Sequence, residues 1–92
     1  MSIQQKDLRA LLDPVVAECR AWPFETWLDW VRRAHIERRD AVTAKGDSVR
    51  IEIFAHWIDD ATERIRIVVS VDHEGATACV PASETFVVQR GA

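Results

Sequence analysis

Val49-Arg50-Ile51-Glu52-Ile53-Phe54-Ala55-His56-Trp57-Ile58 and Ile65-Arg66-Ile67-Val68-Val69-Ser70-Val71-Asp72 both place apolar residues at every second position. A pleated backbone sends alternate side chains to opposite faces, so each stretch is expected to be a strand with one face buried. The interval Asp59-Asp60-Ala61-Thr62-Glu63 has hairpin length, which makes the pair antiparallel. Phe54, Ile58, Val68 and Val80 fall on the other phase and do not all fit one core. A homodimer or another partner is the expected cover for them.

Working downstream, His73-Glu74-Gly75 reads as a turn, residues 76–80 as a short third strand ending at Pro81, and residues 81–84 as a loop or single helical turn. Thr85-Phe86-Val87-Val88-Gln89 then forms a short last strand. Upstream, Lys45-Gly46-Asp47-Ser48 is a turn signal, and before it the apolar spacing becomes helical. Leu8, Leu11, Leu12, Val15, Val16 and Cys19 recur at three- and four-residue steps, giving an amphipathic helix over residues 2–21. Pro14 interrupts it, so a kink or a break into two helices is expected there. A second helix is expected over residues 23–38, started by Pro23 and Glu25 and carrying Phe24, Trp27, Leu28, Val31 and His35 on one stripe. Trp30 lies off that stripe and is a candidate contact anchor.

Helices followed by strands, without strand-helix-strand alternation, select an α+β class: two N-terminal helices packed on a three- to four-stranded antiparallel β-meander. At 92 residues the chain is expected to form a single domain over 1–92. Residues 1–7 hold no apolar signal-peptide core, and no apolar run approaches membrane-spanning length, so a cytoplasmic location without membrane contact is expected. Cys19 and Cys79 are expected to be reduced core thiols.

The sequence holds no strong signature of chemistry. His56, Asp59 and Asp60 gather at one turn and Asp72, His73 and Glu74 at another, but the two turns lie at opposite ends of one strand, so no metal site is expected. Ser70 and Cys79 lack the context of an activated nucleophile, and Gly46, Gly75 and Gly91 stand too far apart for a phosphate-cradling loop. The expectation is therefore a protein that is not an enzyme and takes no cofactor.

Charge divides along the chain. Residues 1–46 hold eight basic and seven acidic residues, and residues 47–92 hold four and eight, so the halves carry +1 and −4 within a total of −3. The acidic strand half suggests a rigid surface for docking onto a basic partner, with Trp30, Phe54, Trp57, Asp59, Asp60, Asp72 and Glu74 as its candidate contacts. Arg32, Arg33, Arg38 and Arg39, crowded at the expected helix end, offer a nucleic-acid-binding alternative.

The strand Ile65-Arg66-Ile67-Val68-Val69-Ser70-Val71-Asp72, followed by a turn, Pro81 and Phe86, resembles the C-terminal part of an uncharacterised family of small bacterial α+β domains. The strand from Val49 to Asp60, with its aromatic-hydrophobic-Asp-Asp end, is also similar to that family, so the resemblance spans about the last 44 residues. It implies the strand order and no catalytic residues. The functional expectation is a small intracellular protein-binding module, of the immunity or phage-inhibitor type, with a protein partner or a second copy of itself.

Overall fold

A computed structural model describes residues 5–73 and 82–90, with side chains for residues 6–71 and 82–90. Two helices, α1 (Gln5–Arg20) and α2 (Phe24–Arg33), precede four strands: β1 (Ile36–Val42), β2 (Ser48–Asp59), β3 (Arg64–His73) and β4 (Ala82–Gln89). The strands form one sheet in the order β1-β2-β3-β4, each antiparallel to its neighbour. The expected α+β architecture is therefore the observed one, with four strands in the meander. The turn at residues 74–75, the expected strand at 76–80, Cys79 and Pro81 lie outside the described residues.

The core lies between the helices and one face of the sheet. Ile51 and Ile53 of β2, Ile65, Ile67, Val69 and Val71 of β3, and Ala82 and Phe86 of β4 meet Leu8, Leu12, Val16 and Cys19 of α1 and Trp27, Leu28 and Trp30 of α2. Trp22, Trp27 and Trp30 form a mutual cluster with ring centroids 5.0 to 5.5 Å apart, and Phe86 meets Trp27 edge-on at 6.3 Å. These tilted and edge-to-face arrangements suit the quadrupoles of the rings. The Arg20 guanidinium covers Phe86 at 4.7 Å, and Arg90 covers Phe24 at 4.9 Å while pairing with Glu25 at 2.8 Å. The end of β4 is thereby tied to the start of α2.

Three boundaries differ from the sequence expectation, each for a local reason. First, α1 continues through Pro14 as one helix. Pro14 is exposed, and the carbonyl it leaves without a partner belongs to Ala10, also exposed, where water can satisfy it.

Second, α2 ends at Arg33, five residues short of the expected end at 38. Ala34 adopts φ 51, ψ 42, the His35 N–H bonds the Trp30 carbonyl at 2.9 Å, and the Ala34 N–H bonds that of Val31 at 3.2 Å. This is a Schellman closure, with the apolar contact that commonly accompanies it supplied by His35 against Trp30 at 4.6 Å. Glycine is the usual residue at such a left-handed position, and its absence removed the stop signal from the sequence.

Third, the chain after that stop forms an additional strand. Across β1 the burial alternates, with Glu37, Arg39 and Ala41 toward the helix side and Ile36, Arg38, Asp40 and Val42 exposed. At the other end of the sheet, β4 begins at Ala82, so residues 82–84 are strand where a loop or helical turn was expected. The β1–β2 turn is closed by Thr43, whose N–H bonds the Asp47 carbonyl at 2.9 Å and whose Oγ1 accepts the Asp47 N–H at 3.1 Å. Gly46 takes φ +88 there, a conformation that strains any L side chain.

Two substitutions test these local readings. Ala34→Gly should stabilise the fold by about 0.5–1 kcal/mol, because it removes the Cβ penalty of the left-handed conformation. Pro14→Ala should stabilise it by about 1–3 kcal/mol, by restoring a helical hydrogen bond. Urea midpoints check both, and a lower midpoint for either variant contradicts the reading.

Candidate protein-docking surface

The face of the sheet turned away from the helices has no layer over it among the described residues. Strand alternation and register fix its composition. Ile36 on β1 stands opposite Phe54 on β2, Phe54 opposite Val68 on β3, and Val68 opposite Thr85 on β4, making an apolar row across β1, β2 and β3 that ends on a threonine. In the next row toward the β2–β3 turn, His56 faces Arg66 and Arg66 faces Val87. On the other side, Arg38 faces Glu52 and Glu52 faces Ser70. Ile36 is 44% exposed and Val87 49%, while Phe54 and Val68 are half-buried.

The charges of this face are mixed. Arg38, Arg50, Arg64 and Arg66 stand on it with Asp40, Glu52 and Asp59, the last brought there by the register shift between Trp57 and Asp59. The Arg38 Nε bonds Glu52 at 3.0 Å, and Arg50 lies 3.7 Å from Asp40. Arg66 has no ion pair among the described residues, and His56 stacks on Phe54 with centroids 6.3 Å apart. The result is an apolar strip with arginines on both sides, in place of the acidic sheet surface that the linear charge balance suggested.

The candidate residues are dispersed accordingly. Of the aromatics, Phe54 is at the centre of the open face. Trp57 is on the helix side, half-buried against the core, and Trp30 is 7% exposed inside the tryptophan cluster, which removes it as a contact anchor. Asp59 ends β2, with its Oδ1 accepting the Ala61 N–H at 3.0 Å, and Asp60 is exposed in the turn. Asp72 stands opposite Arg50 near the far end of β3, a strand of 10 residues. That length, about 30 Å, separates it from Asp59 and Asp60, so these acids do not form one patch. Glu74 lies outside the described residues.

The arginine cluster is also split, because the helix stops before it. Arg32 and Arg33 are in the last turn of α2, where Arg33 pairs with Asp29 at 2.8 Å. Arg38 and Arg39 are on β1, and adjacent strand residues point to opposite faces. Arg38 is on the open face with Glu52. Arg39 is on the helix side, bonded to Glu18 at 2.7 Å and Glu37 at 2.6 Å.

Ile36, Val87 and Arg66 were not among the sequence candidates. Ile36 was concealed by the missed strand, whereas Val87 and Arg66 could have been found by following the outer phase of the alternation past Phe54 and Val68. Among the described residues, no three His, Cys, Asp or Glu side chains converge in a way that could hold a metal ion. Cys19 is fully buried, and desolvation pushes its thiol up to about 11. Among the described residues, no helix is long and apolar enough to cross a membrane. No family model, curated protein or solved structure matches the chain.

The Glu18–Arg39 pair gives a pH prediction. The hydrogen bond from Arg39 holds the Glu18 carboxyl below its ordinary value. A carboxyl with a lower pKa in the folded than in the unfolded state stabilises the fold above its unfolded value, and that contribution fades as pH falls through the folded value. Glu18→Gln should therefore flatten the acid limb of the stability–pH curve and leave its alkaline limb unchanged. Urea titrations from neutral to acid pH measure this, and an acid limb as steep as that of the parent refutes it.

Proposed function

We propose that this protein is a binding module that docks a partner protein on the open face of its sheet, with Phe54 at the centre of the contact. The observation that carries this reading is the row Ile36, Phe54 and Val68, with Val87 diagonal to Val68 in the next row, which the protein's own helices leave uncovered. An apolar strip on a rigid sheet, rimmed by polar groups, is the composition of a protein contact. Arginine is among the residue types that dominate such contacts, and Arg66 stands beside the strip without an ion pair among the described residues. The partner surface that fits is a projecting apolar group ringed by carboxylates. An inhibitor of the immunity or phage type is one form that such a module takes. The docking surface is then this mixed face, and the acidic residues at its two ends are peripheral.

The test compares variants rather than relying on recovery alone. Immobilised parent protein, Phe54→Asp, Arg66→Glu and Arg32→Glu are exposed to lysate of the source cells, and the retained proteins are identified. A true partner is retained by the parent and by Arg32→Glu but lost from the other two. Once the partner is purified, Phe54→Asp should weaken its binding by at least about 30-fold, the scale of a removed hot spot. Retention that is indifferent to Phe54 and Arg66 refutes the reading. Retention abolished by nuclease treatment supports nucleic-acid binding instead.

A further inference from the structure

The open face is asymmetric about its apolar row. Phe54 and Val68 stand opposite each other at the centre, and two residues to either side of them the flanks differ. Toward the β2–β3 turn stand His56 and Arg66, both exposed. On the other flank stand Glu52 and Ser70, with Arg38 of β1 bonded to one oxygen of Glu52 at 3.0 Å. Arg66 thus lacks an ion pair among the described residues, while an acid stands at the same distance from the row on its opposite side. The two flanks are complementary to each other, but within one chain they lie about 13 Å apart along the strands with the row between them. A second copy, turned over, brings them together.

We infer that a second copy of this chain covers the open face, sheet against sheet, with a two-fold axis between the sheets that runs along the row Ile36, Phe54 and Val68. This rotation lays the apolar row of one copy on that of the other, so Phe54 meets Phe54 of the second copy at the centre. It also exchanges the flanks, so Glu52 of each copy stands over His56 and beside Arg66 of the other, and the complementary contact is made twice. Facing sheets cross at about 30°, which displaces the flanking residues by about 3 Å, less than one strand spacing and within the reach of an arginine side chain. The other two-fold that joins these faces runs along the strands and sets His56 on Arg66 of the second copy in both places, so charge selects the first. Both helix layers lie on the outer sides of the pair. The face measures about 20 by 30 Å, so the pair buries about 1,200 Å² in all, the lower end of specific interfaces, and the dimer dissociates on dilution. The inference rests on the docking reading of this face and adds that a second copy occupies it when no other partner does, so self-association and partner binding compete.

Sedimentation equilibrium from micromolar to millimolar concentration tests the arrangement. The weight-average mass of the parent should rise from 10.5 kDa toward twice that value, and Phe54→Asp should remain monomeric throughout. Arg66→Glu sets like charge against Glu52 of the second copy, and Glu52→Arg sets it against Arg66, so each variant alone should associate at least about 10-fold more weakly than the parent. Mixed in equal amounts, the two variants should recover the association of the parent, because one contact is then native and the other is its reverse. Circular dichroism equal to that of the parent shows that the variants fold, and Arg32→Glu, on α2, should dimerise as the parent does. A mixture no heavier than its components overturns the inference, as does a parent dimer that Phe54→Asp leaves intact. A parent that stays monomeric at every concentration overturns it too, and leaves the docking reading to be decided by the retention experiment.

Discussion

The fold depends on the burial of one side of β3. Ile65, Ile67, Val69 and Val71 are all 0% exposed, each flanked by β2 and β4 and covered by the helices. Burying a side chain of this size is worth about 1.5–3 kcal/mol, so this row outweighs any single ion pair on the surface. It also sets the register. A slip of one residue would turn Arg64, Arg66, Val68 and Ser70 toward the helices and leave charges without water. The meander is consistent with that constraint, since β2 and β4 each pair with β3 in the register that brings Ile51, Ile53 and Phe86 to the same side.

The helix layer is organised by aromatic rings. Trp27, fully buried, touches Trp22, Trp30 and Phe86, and so joins the interhelical turn, α2 and β4 in one contact group. The stop of α2 belongs to the same group, because His35 closes against Trp30 as the chain reverses. Without that stop the helix would run over residues 36–38, and the sheet would lose its first strand and the outer part of the open face. An alanine in a left-handed conformation thus has an effect out of proportion to its size.

Charge is arranged by the fold more than by the linear order. The first half of the chain supplies Arg38 and Asp40 to a face whose other charges come from the second half, so the open face is mixed where the strand half alone is acidic. Arg39, one residue away from Arg38, is turned to the opposite side by the alternation of the strand and pairs there with Glu18 and Glu37. Exposed pairs of this kind contribute little to stability, but they determine which cations are left to meet a partner. Arg66, unpaired among the described residues beside Phe54 and Val87, is one such cation.

The sequence by itself determined the class of fold and the interior. Period-two spacing in residues 49–58 and 65–72, and helical spacing before residue 21, are local properties that a folded chain must obey, and the same spacing marked Phe54 and Val68 as surplus to one core. Tertiary structure decided β1, the burial of Trp30 and the membership of the docking face. The segment Ile36-Glu37-Arg38-Arg39-Asp40-Ala41-Val42 has little intrinsic strand signal, and it becomes a strand because β2 offers it an unpaired edge once Ala34 has ended the helix. Trp30 is buried because Trp27, three residues before it on α2, and Trp22, from the turn between the helices, both pack against it, and the second of these contacts leaves no trace on a helical wheel. Which side chains share a face across strands is a matter of register, and register is set by long-range burial that no local window of sequence contains.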